Sequence, residues 1–387
     1  MNTVYDRAPL WQRLRPVFSG FDGPLALAIG LLAVIGLVIM YSAGFDHGTR
    51  FVDHGRNMVL ALLVLFAVAQ VPPQKLMRLA VPLYIVGVLL LVITALPGVG
   101  ITKKGATRWL DIGFLVIQPS EILKLAVPMV LAWWFQKREG RPQLVDFVVA
   151  ALLLLLPVAL VAKQPDLGTA LLIVAAGLYV IFFAGLTWRL ILPVLALGVV
   201  GIAAIAFSGD RICAPDVDWP GLREYQKTRV CTLLDPTKDP LGKGFHILQG
   251  QIAIGSGGLT GKGFMNGTQT HLEFIPERTT DFIFAALSEE FGLAGVLSVI
   301  FGFVFLVFRG LWIAAEAPTV FTRLLAGAIS LTLFTYAFVN MGMVSGILPV
   351  VGVPLPFVSY GGTAMVTLGL ALGILMSVAR SHRLMRS

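Results

Sequence analysis

Apolar stretches long enough to cross a lipid bilayer recur along almost the whole chain, and they constrain the fold more than any other feature. A helix needs roughly 20 residues to cross a hydrocarbon core about 30 Å thick. Of the 387 residues, 57% are hydrophobic and only 13% are charged, which excludes an ordinary soluble domain. We therefore predict an all-α polytopic membrane protein, with one transmembrane domain over residues 1–387. The ten predicted spans are Pro24–Tyr41, Asn57–Val71, Ala80–Leu96, Pro119–Phe135, Phe147–Ala162, Gly168–Leu186, Leu190–Phe207, Phe291–Phe308, Leu324–Ser345 and Thr363–Ala379.

The distribution of basic residues predicts how these spans are oriented. Ten spans place both chain ends on one side, and the short loops on that side carry more Lys and Arg than the opposite short loops. Loops with this bias stay in the cytoplasm, so both termini are predicted to be cytoplasmic. The large loop 208–280, between the seventh and eighth spans, is then extracytoplasmic. Its cysteines, Cys213 and Cys231, form a disulfide there or remain two unpaired thiols.

The net charge of +8 raises the question of an anionic partner. The basic residues form no continuous patch, so nucleic acid is not expected. An anionic membrane surface or an anionic substrate fits better. No Cys and His spacing predicts a metal site, and no cofactor is predicted.

The first polar cluster lies in the loop before the fourth span. Three cations, Lys103, Lys104 and Arg108, stand beside Trp109 on the side that the charge bias leaves poor in basic residues. One interpretation is capture of a phosphorylated lipid head group, because ammonium and guanidinium groups bind phosphate oxygens strongly. The other is an interfacial aromatic loop with incidental lysines.

Charged residues at membrane depth are costly, and two short segments contain them. Gln118, Glu121 and Lys124 are three residues apart on the fourth span, so Glu121 and Lys124 can form an ion pair. They either join helices or line a cavity. Asp166 lies in a tight turn with Lys163, where it either forms a local ion pair or faces outward toward a bound sugar.

The end of the large loop contains the strongest catalytic candidate, Asp281. Thr279 or Thr280 can cap a short helix that begins at Asp281. An Asp in a first helical turn commonly does no more than complement the helix dipole. Here it lies among large apolar residues where membrane meets water, and an ionised carboxylate in that place can accept a proton. Glu277 and Arg278 lie just before the two threonines.

Two glycine-rich or proline-rich segments complete the pattern. Residues 250–264 are rich in glycine, contain Lys262, and predict a flexible segment whose backbone amides could hold an anion. Residues 348–363 contain Pro349, Pro354 and Pro356, which forbid a regular helix. This segment is predicted to be a re-entrant loop lining a cavity, since exposed irregular backbone is not tolerated at membrane depth.

Taken together, these motifs resemble those of the SEDS family of polytopic cell-wall proteins. The matching strings are GATRWLDIG with QPSE, KQPDLGTA, GQIAIGSGGLTGKGF, FIPERTTDFIFA and LPVVGVPLPFVSYGGT, in family order along nearly the whole chain. The PER before TDF and the run from Tyr225 to His246 resemble the elongation type of the family more than the division type. Two departures are Thr279, where the family commonly has His, and a stretch around Cys213–Leu222 that resembles an insertion.

The resemblance implies a peptidoglycan glycosyltransferase that polymerises lipid II at the outer face of the bacterial cytoplasmic (inner) membrane. It implies a class B penicillin-binding protein transpeptidase and other elongation-complex membrane proteins as partners, and Asp281 as the catalytic aspartate. A divalent cation at the leaving diphosphate is left open, and a lipid II flippase or a non-catalytic scaffold are the alternative functions. The expected substrate-binding residues are Arg108, Trp109, Glu121, Lys124, Lys163, Asp166, Lys104, Lys262, Glu277 and Arg278.

Overall fold

The computed structural model describes residues 21–386 except 47, 97, 104–105, 112, 114–115, 139–141, 215–216, 218, 220–223, 239–241, 273 and 276. Helices dominate this part of the chain. They are α1 Gly23–Ala43, α2 Arg50–Ala69, α3 Pro73–Thr94, α4 Pro119–Lys137, α5 Leu144–Lys163, α6 Leu167–Phe183, α7 Trp188–Ile212, α8 Glu224–Leu234, α9 Lys243–Ser256, α10 Thr268–His271, α11 Ile283–Ala315, α12 Val320–Val344 and α13 Gly362–Arg386.

Every predicted span falls on a long helix, α1 to α7 or α11 to α13. Eight of these described helices are long and apolar enough to cross a membrane. The other two are α6, with 17 residues, and α4, which carries Glu121, Lys124 and Lys137. The multi-pass helical fold is thus confirmed, while the count of ten spans and their sides remain predictions.

The helices pack as a bundle with α4, α12 and α13 at its centre, where most of their residues are buried. α13 packs along α2, α12 packs on α11 and α6, and α4 packs on α3 and α6. α7 is the exception: its residues 188–209 include no buried side chain. The disulfide between Cys213 and Cys231, predicted as one of two alternatives, is formed and ties the region after α7 to α8.

Within the described residues, regular structure outside the helices is a small antiparallel sheet before α4. Its strands are β1 Ile101–Lys103, β2 Ala106–Asp111 and β3 Val116–Ile117, in the order β1-β2-β3. The all-α expectation missed it. Thr, Trp, Val and Ile favour extended backbone, and the segment is too short for a stable helix.

The start of α11 differs from the prediction of a helix beginning at Asp281. The helix begins at Ile283, and Asp281 lies in the preceding turn. The predicted cap fails because the Thr279 hydroxyl accepts a hydrogen bond from Arg50, while the Thr280 hydroxyl donates to Glu277. Phe282 occupies the N-cap position of α11 and provides no side-chain cap.

The glycine-rich segment is more ordered than its composition predicts. Residues 250–256 belong to α9, and the backbone of residues 257–263 packs closely against α11. The amides of Gly261, Lys262 and Gly263 donate to the carbonyls of residues 257, 289 and 290, at 2.8 to 3.0 Å. These donors are consumed within the protein, so the predicted anion-binding nest is wrong.

The chain between α12 and α13 has no helix, as its prolines predict. Much of it is nevertheless buried, including Val353, Leu355, Phe357 and Ser359. Irregular backbone is therefore enclosed by protein at this depth, which is the condition under which a membrane protein tolerates it.

Candidate active site

Asp281 lies in a turn that two neighbouring elements hold in place. The Asn340 side-chain amide, from α12, donates to the backbone carbonyls of Asp281 and Val353 at 3.0 and 2.8 Å. The hydroxyl of Ser359 donates to the carbonyl of Thr280 at 2.6 Å. The turn is thus fixed between α12 and the proline-containing segment, and the Asp281 side chain itself remains partly exposed.

The carboxylate of Asp281 borders a glycine in that segment. Gly352 has φ +75°, and a methyl group at its position would lie 3.4 Å from Oδ2 of Asp281. On α6, a methyl group at Gly168 would lie 2.7 Å from the carbonyl oxygen of Val351. The carboxylate and the start of α6 therefore meet the same turn, Val351–Gly352, which brings Asp281 and Asp166 to one region.

Arg108 reaches from β2 to the start of α6. Its Nε donates to the carbonyl of Gln164 at 3.2 Å, and another guanidinium nitrogen donates to the carbonyl of Pro165. Its Nη1 lies 3.6 Å from the carboxylate of Asp166. Arg108 and Asp166, both predicted for the site, are therefore brought together. The Arg108 guanidinium is already hydrogen-bonded to the turn between α5 and α6.

Asp166 serves as the N-cap of α6, where it accepts the amide of Thr169 at 3.2 Å. The amide of Gln118 donates to the same carboxylate at 3.1 Å. Lys163 is exposed and is not the ion-pair partner of Asp166; the partner is Arg108. The local ion pair predicted for this turn is wrong, because a cation from another element reaches the carboxylate.

Glu121 and Lys124 form the predicted ion pair, with Nζ 2.6 Å from Oε1 and both side chains buried. The ammonium also lies 5.5 Å from the centre of the Tyr336 ring. The cavity beside Lys124 measures about 30 Å³, room for roughly one water molecule. In this conformation the pair lies inside the bundle, where the Lys124 ammonium connects α4 to Tyr336 of α12.

Lys262 is held by Glu289 on α11, with Nζ 2.7 Å from Oε1. Glu289 is fully buried and also accepts hydrogen bonds from the hydroxyls of Thr268 and Thr270 and from the amides of Gln269 and Thr270. Lys262, which was predicted to bind substrate, thus helps Glu289 to hold the end of the large loop on α11.

Arg278 is also used internally. It is 1% exposed, donates through Nε to the carbonyl of Ala43 at 3.0 Å, and forms an ion pair with Asp46. Glu277 accepts a 2.8 Å hydrogen bond from the hydroxyl of Thr280. Both residues therefore shape the turn that carries Asp281.

The remaining predicted residues lie in the sheet segment. Trp109 follows Arg108 in β2, and successive strand side chains point to opposite faces. Lys104 lies outside the described residues. Within the described ranges, no group of three or more His, Cys, Asp or Glu side chains could hold a metal ion.

One cation at the site was missed by the sequence analysis. Arg50, at the start of α2, donates to the hydroxyl of Thr279 at 2.7 Å, and its guanidinium lies 4.9 Å from the centre of the Tyr360 ring. A weak signal existed, since Arg50 lies before the second predicted span, in one of the short loops that carry few basic residues. Nothing in the local sequence connects it to a residue 229 positions away.

With this geometry in place, comparison with known proteins defines the class. The model of the FtsW, RodA and SpoVE family, described as cell cycle protein, matches residues 23–384. The chain belongs to this family, also called SEDS.

Individual relatives agree with this assignment. The chain is 47% identical to the peptidoglycan glycosyltransferase MrdB of Escherichia coli K12, over 94% of both chains. It is 33% identical to stage V sporulation protein E of Bacillus subtilis, over 91% of this chain and 95% of that one.

Solved structures agree as well. A chain from work on structural coordination of polymerization and crosslinking by a peptidoglycan synthase complex superposes with a TM-score of 0.77 at 30% identity, covering 94% of this chain and 99% of that one. The rod shape determining protein RodA of Thermus thermophilus superposes with a TM-score of 0.68 at 28% identity, covering 94% and 98%. The chain is therefore a multi-pass bacterial membrane protein of the SEDS type.

Proposed function

We propose that this peptidoglycan glycosyltransferase polymerises lipid II with Asp281 as its general base. In this reaction the 4-hydroxyl oxygen of one lipid II GlcNAc forms a bond to C1 of a second lipid's MurNAc. The bond from C1 to the phosphate oxygen breaks, and its electron pair leaves on undecaprenyl diphosphate. The hydroxyl proton passes to the Asp281 carboxylate, a contribution typically of about 10²–10⁴-fold.

The observation that carries this proposal is the placement of the Asp281 carboxylate. It lies in a turn tied by its backbone to α12 and to the proline-containing segment, partly exposed, and beside Gly352, which has no side chain to cover it. A fixed carboxylate with an open approach is what a general base requires.

The leaving diphosphate requires cations but no general acid, because it departs as an anion. Arg108 is the predicted contributor with the best geometry, since it is partly exposed and reaches the region of Asp281 through the α5–α6 turn. Lys124 and Lys262 would need to exchange their carboxylate partners for substrate oxygens. A bound divalent cation is the alternative source of positive charge.

The setting we propose is the cytoplasmic membrane, with both termini in the cytoplasm and the site at its outer face. The bias of basic residues supports this orientation. A transpeptidase is the expected partner, because a similar chain has been solved in a complex that coordinates polymerization and crosslinking. We propose that it is a class B penicillin-binding protein acting with the other membrane proteins of cell elongation.

The test is Asp281→Asn in the purified full chain with lipid II, alone and with the partner transpeptidase, with and without EDTA. We expect polymerisation to fall by at least about 100-fold, with unchanged thermal unfolding because asparagine preserves the shape of the side chain. Wild-type polymerisation by a folded Asp281→Asn variant would dispose of the base assignment.

The same assay separates the alternative functions. A flippase would move lipid II across vesicles without forming glycan, and a scaffold would do neither. Glycan formed by the wild-type chain without partner excludes both as its sole function. Loss of product with EDTA would establish the metal requirement.

A further inference from the structure

Nearly all of the cations around the candidate site form an ion pair with a carboxylate. Arg108 is paired with Asp166 and Arg278 with Asp46. The pairs Lys124–Glu121 and Lys262–Glu289 complete the set. Lys163 is exposed and therefore hydrated.

Arg50 differs from all of these. Its contacts with described residues are to neutral groups, the hydroxyl of Thr279 and the ring of Tyr360. The acidic side chains nearest to it in sequence are engaged elsewhere, Asp46 by Arg278 and Asp53 by Arg56. A half-buried guanidinium with no carboxylate partner among the described residues attracts an anion, and the hydrogen bond to Thr279 leaves further N–H donors for one.

The position of this cation relative to Asp281 suits the proposed chemistry. Thr279 and Asp281 are two residues apart, and two residues of chain span at most about 7 Å. Because Arg50 donates to the Thr279 hydroxyl, its guanidinium lies beside the turn that carries the proposed base. The backbone of the turn is fixed by Tyr360, whose amide donates to the carbonyl of Thr279 at 2.8 Å.

Tyr360 and Thr279 also orient the guanidinium. The contact with the Tyr360 ring and the hydrogen bond to Thr279 hold the guanidinium at two points. A planar fork held in this way is prepared for two oxygens of one phosphate.

We infer that Arg50 binds the diphosphate of the lipid-linked sugar donor and of the released undecaprenyl diphosphate. The inference rests on the proposed function, because it takes Asp281 to be the base that acts on the attacking hydroxyl, opposite the diphosphate at C1 of the donor. The positive charge of Arg50 stabilises the negative charge that develops on the phosphate oxygen when its bond to C1 breaks.

The test is equilibrium binding of undecaprenyl diphosphate to the full chain in phosphatidylcholine nanodiscs, for wild type, Arg50→Gln and Arg56→Gln. Arg56 is the matched control, because it lies on the same helix with a side chain that is 74% exposed and paired with Asp53. We expect Arg50→Gln to weaken binding by about 10- to 100-fold and Arg56→Gln to leave it unchanged. Equal binding by wild type and a folded Arg50→Gln variant overturns the inference.

Competing lipids identify the ligand, and a second variant keeps the test decisive if the first does not fold. Undecaprenyl monophosphate and phosphatidylglycerol compete in separate arms, and competition by phosphatidylglycerol equal to that by undecaprenyl diphosphate would show a general lipid phosphate contact and overturn the inference. If Arg50→Gln does not fold, Arg50→Lys replaces it, with an expected loss of about 3- to 10-fold because lysine offers no planar fork. Wild-type affinity in folded Arg50→Lys would overturn the assignment.

Binding of the product requires no turnover, so the two proposals fail separately. A wild-type chain that binds undecaprenyl diphosphate through Arg50 but forms no glycan refutes the polymerase proposal alone. A chain in which Asp281→Asn abolishes polymerisation while Arg50→Gln leaves diphosphate binding unchanged refutes the Arg50 inference alone.

Discussion

At the scale of single residues, the region around Asp281 is ordered by buried charges and the partners they require. A buried charge is costly unless it is paired and hydrogen-bonded, and removal of one partner leaves the other uncompensated. Glu289 shows this most clearly, since it is fully buried and its carboxylate accepts from Lys262 and from four other donors. This explains why Lys262, predicted to bind substrate, is engaged by the protein.

We expect Lys262→Met to lower the free energy of unfolding by about 2–3 kcal/mol, because Glu289 keeps its hydrogen bonds but loses its cation. The measurement is thermal and chemical unfolding of the purified chain in detergent. Lys75→Met, a change of an exposed lysine at the start of α3, is the control and should have little effect. A raised KM for lipid II with unchanged unfolding would instead support the substrate role.

The candidate site could be predicted from the sequence only where its residues are close in the chain. Glu121 and Lys124 are three positions apart, a spacing that brings two side chains together on a helix, so their ion pair was predictable. Arg108 with Asp166 and Arg50 with Thr279 join residues 58 and 229 positions apart by their numbers. Partners at such distances are set by how helices pack, which side-chain spacing does not encode.

At the scale of elements, the proline-containing segment owes its position to close backbone approach. The carbonyl of Phe357 occupies the space where a side chain at Gly36 of α1 would lie, and Phe357 itself has φ +62°. A residue other than glycine rarely adopts this conformation without support from its surroundings. α1 therefore packs directly against the proline-containing segment, which in turn holds the turn of Asp281.

Gly36→Ala should displace Phe357 and reduce polymerisation more than it reduces stability, because Ser359 and Tyr360 of the same segment hold the turn of Asp281. Gly30→Ala on the same helix is the matched control, since a methyl group there meets no atom within 4 Å. We expect this control to be neutral or stabilising by up to about 1 kcal/mol, the usual gain of alanine over glycine in a helix. Equal activity of the two variants would contradict a positioning role for the segment.

Long helices were predictable because twenty apolar residues in a row have few other solutions in a membrane. The helix boundaries that depend on tertiary contacts were not predictable from the sequence. α11 begins at Ile283 because Arg50 and Glu277 take the hydroxyls that would have capped it two residues earlier. Residues 250–256 continue α9 despite their glycines, because that helix packs against α11.

At the scale of the whole molecule, Asp22 connects the ends of three long helices. It is 1% exposed and caps α1, accepting the amide of Leu25 at 3.0 Å. Arg309 of α11 binds both of its carboxylate oxygens, at 2.9 and 2.6 Å, and Arg383 of α13 binds one at 2.7 Å. The first span and two later ones are therefore joined through one carboxylate.

The charge of Asp22 makes this junction sensitive to pH. Burial alone would raise its pKa, but hydrogen bonds from Arg309 and Leu25 and the charges of Arg309 and Arg383 outweigh burial, so its pKa lies below the ordinary 3.8. A carboxyl group with a lowered pKa stabilises the folded state above its unfolded pKa. That contribution is lost as the pH falls through the folded value.

Asp22→Asn tests this junction, because asparagine also caps helices well and the substitution removes little besides the charge. We expect the variant to be less stable than wild type by about 2–3 kcal/mol at neutral pH, since two guanidinium groups lose their anion. The difference should persist down to about pH 5 and shrink only below the ordinary pKa of 3.8, where the carboxyl is protonated in the unfolded chain while the folded chain still holds it ionised. Unfolding midpoints of both proteins in detergent across this pH range provide the measurement. A difference that closed between pH values of about 7 and 5 would contradict a lowered pKa for Asp22. No difference at neutral pH would show that its ion pairs do not stabilise the junction of the three helices.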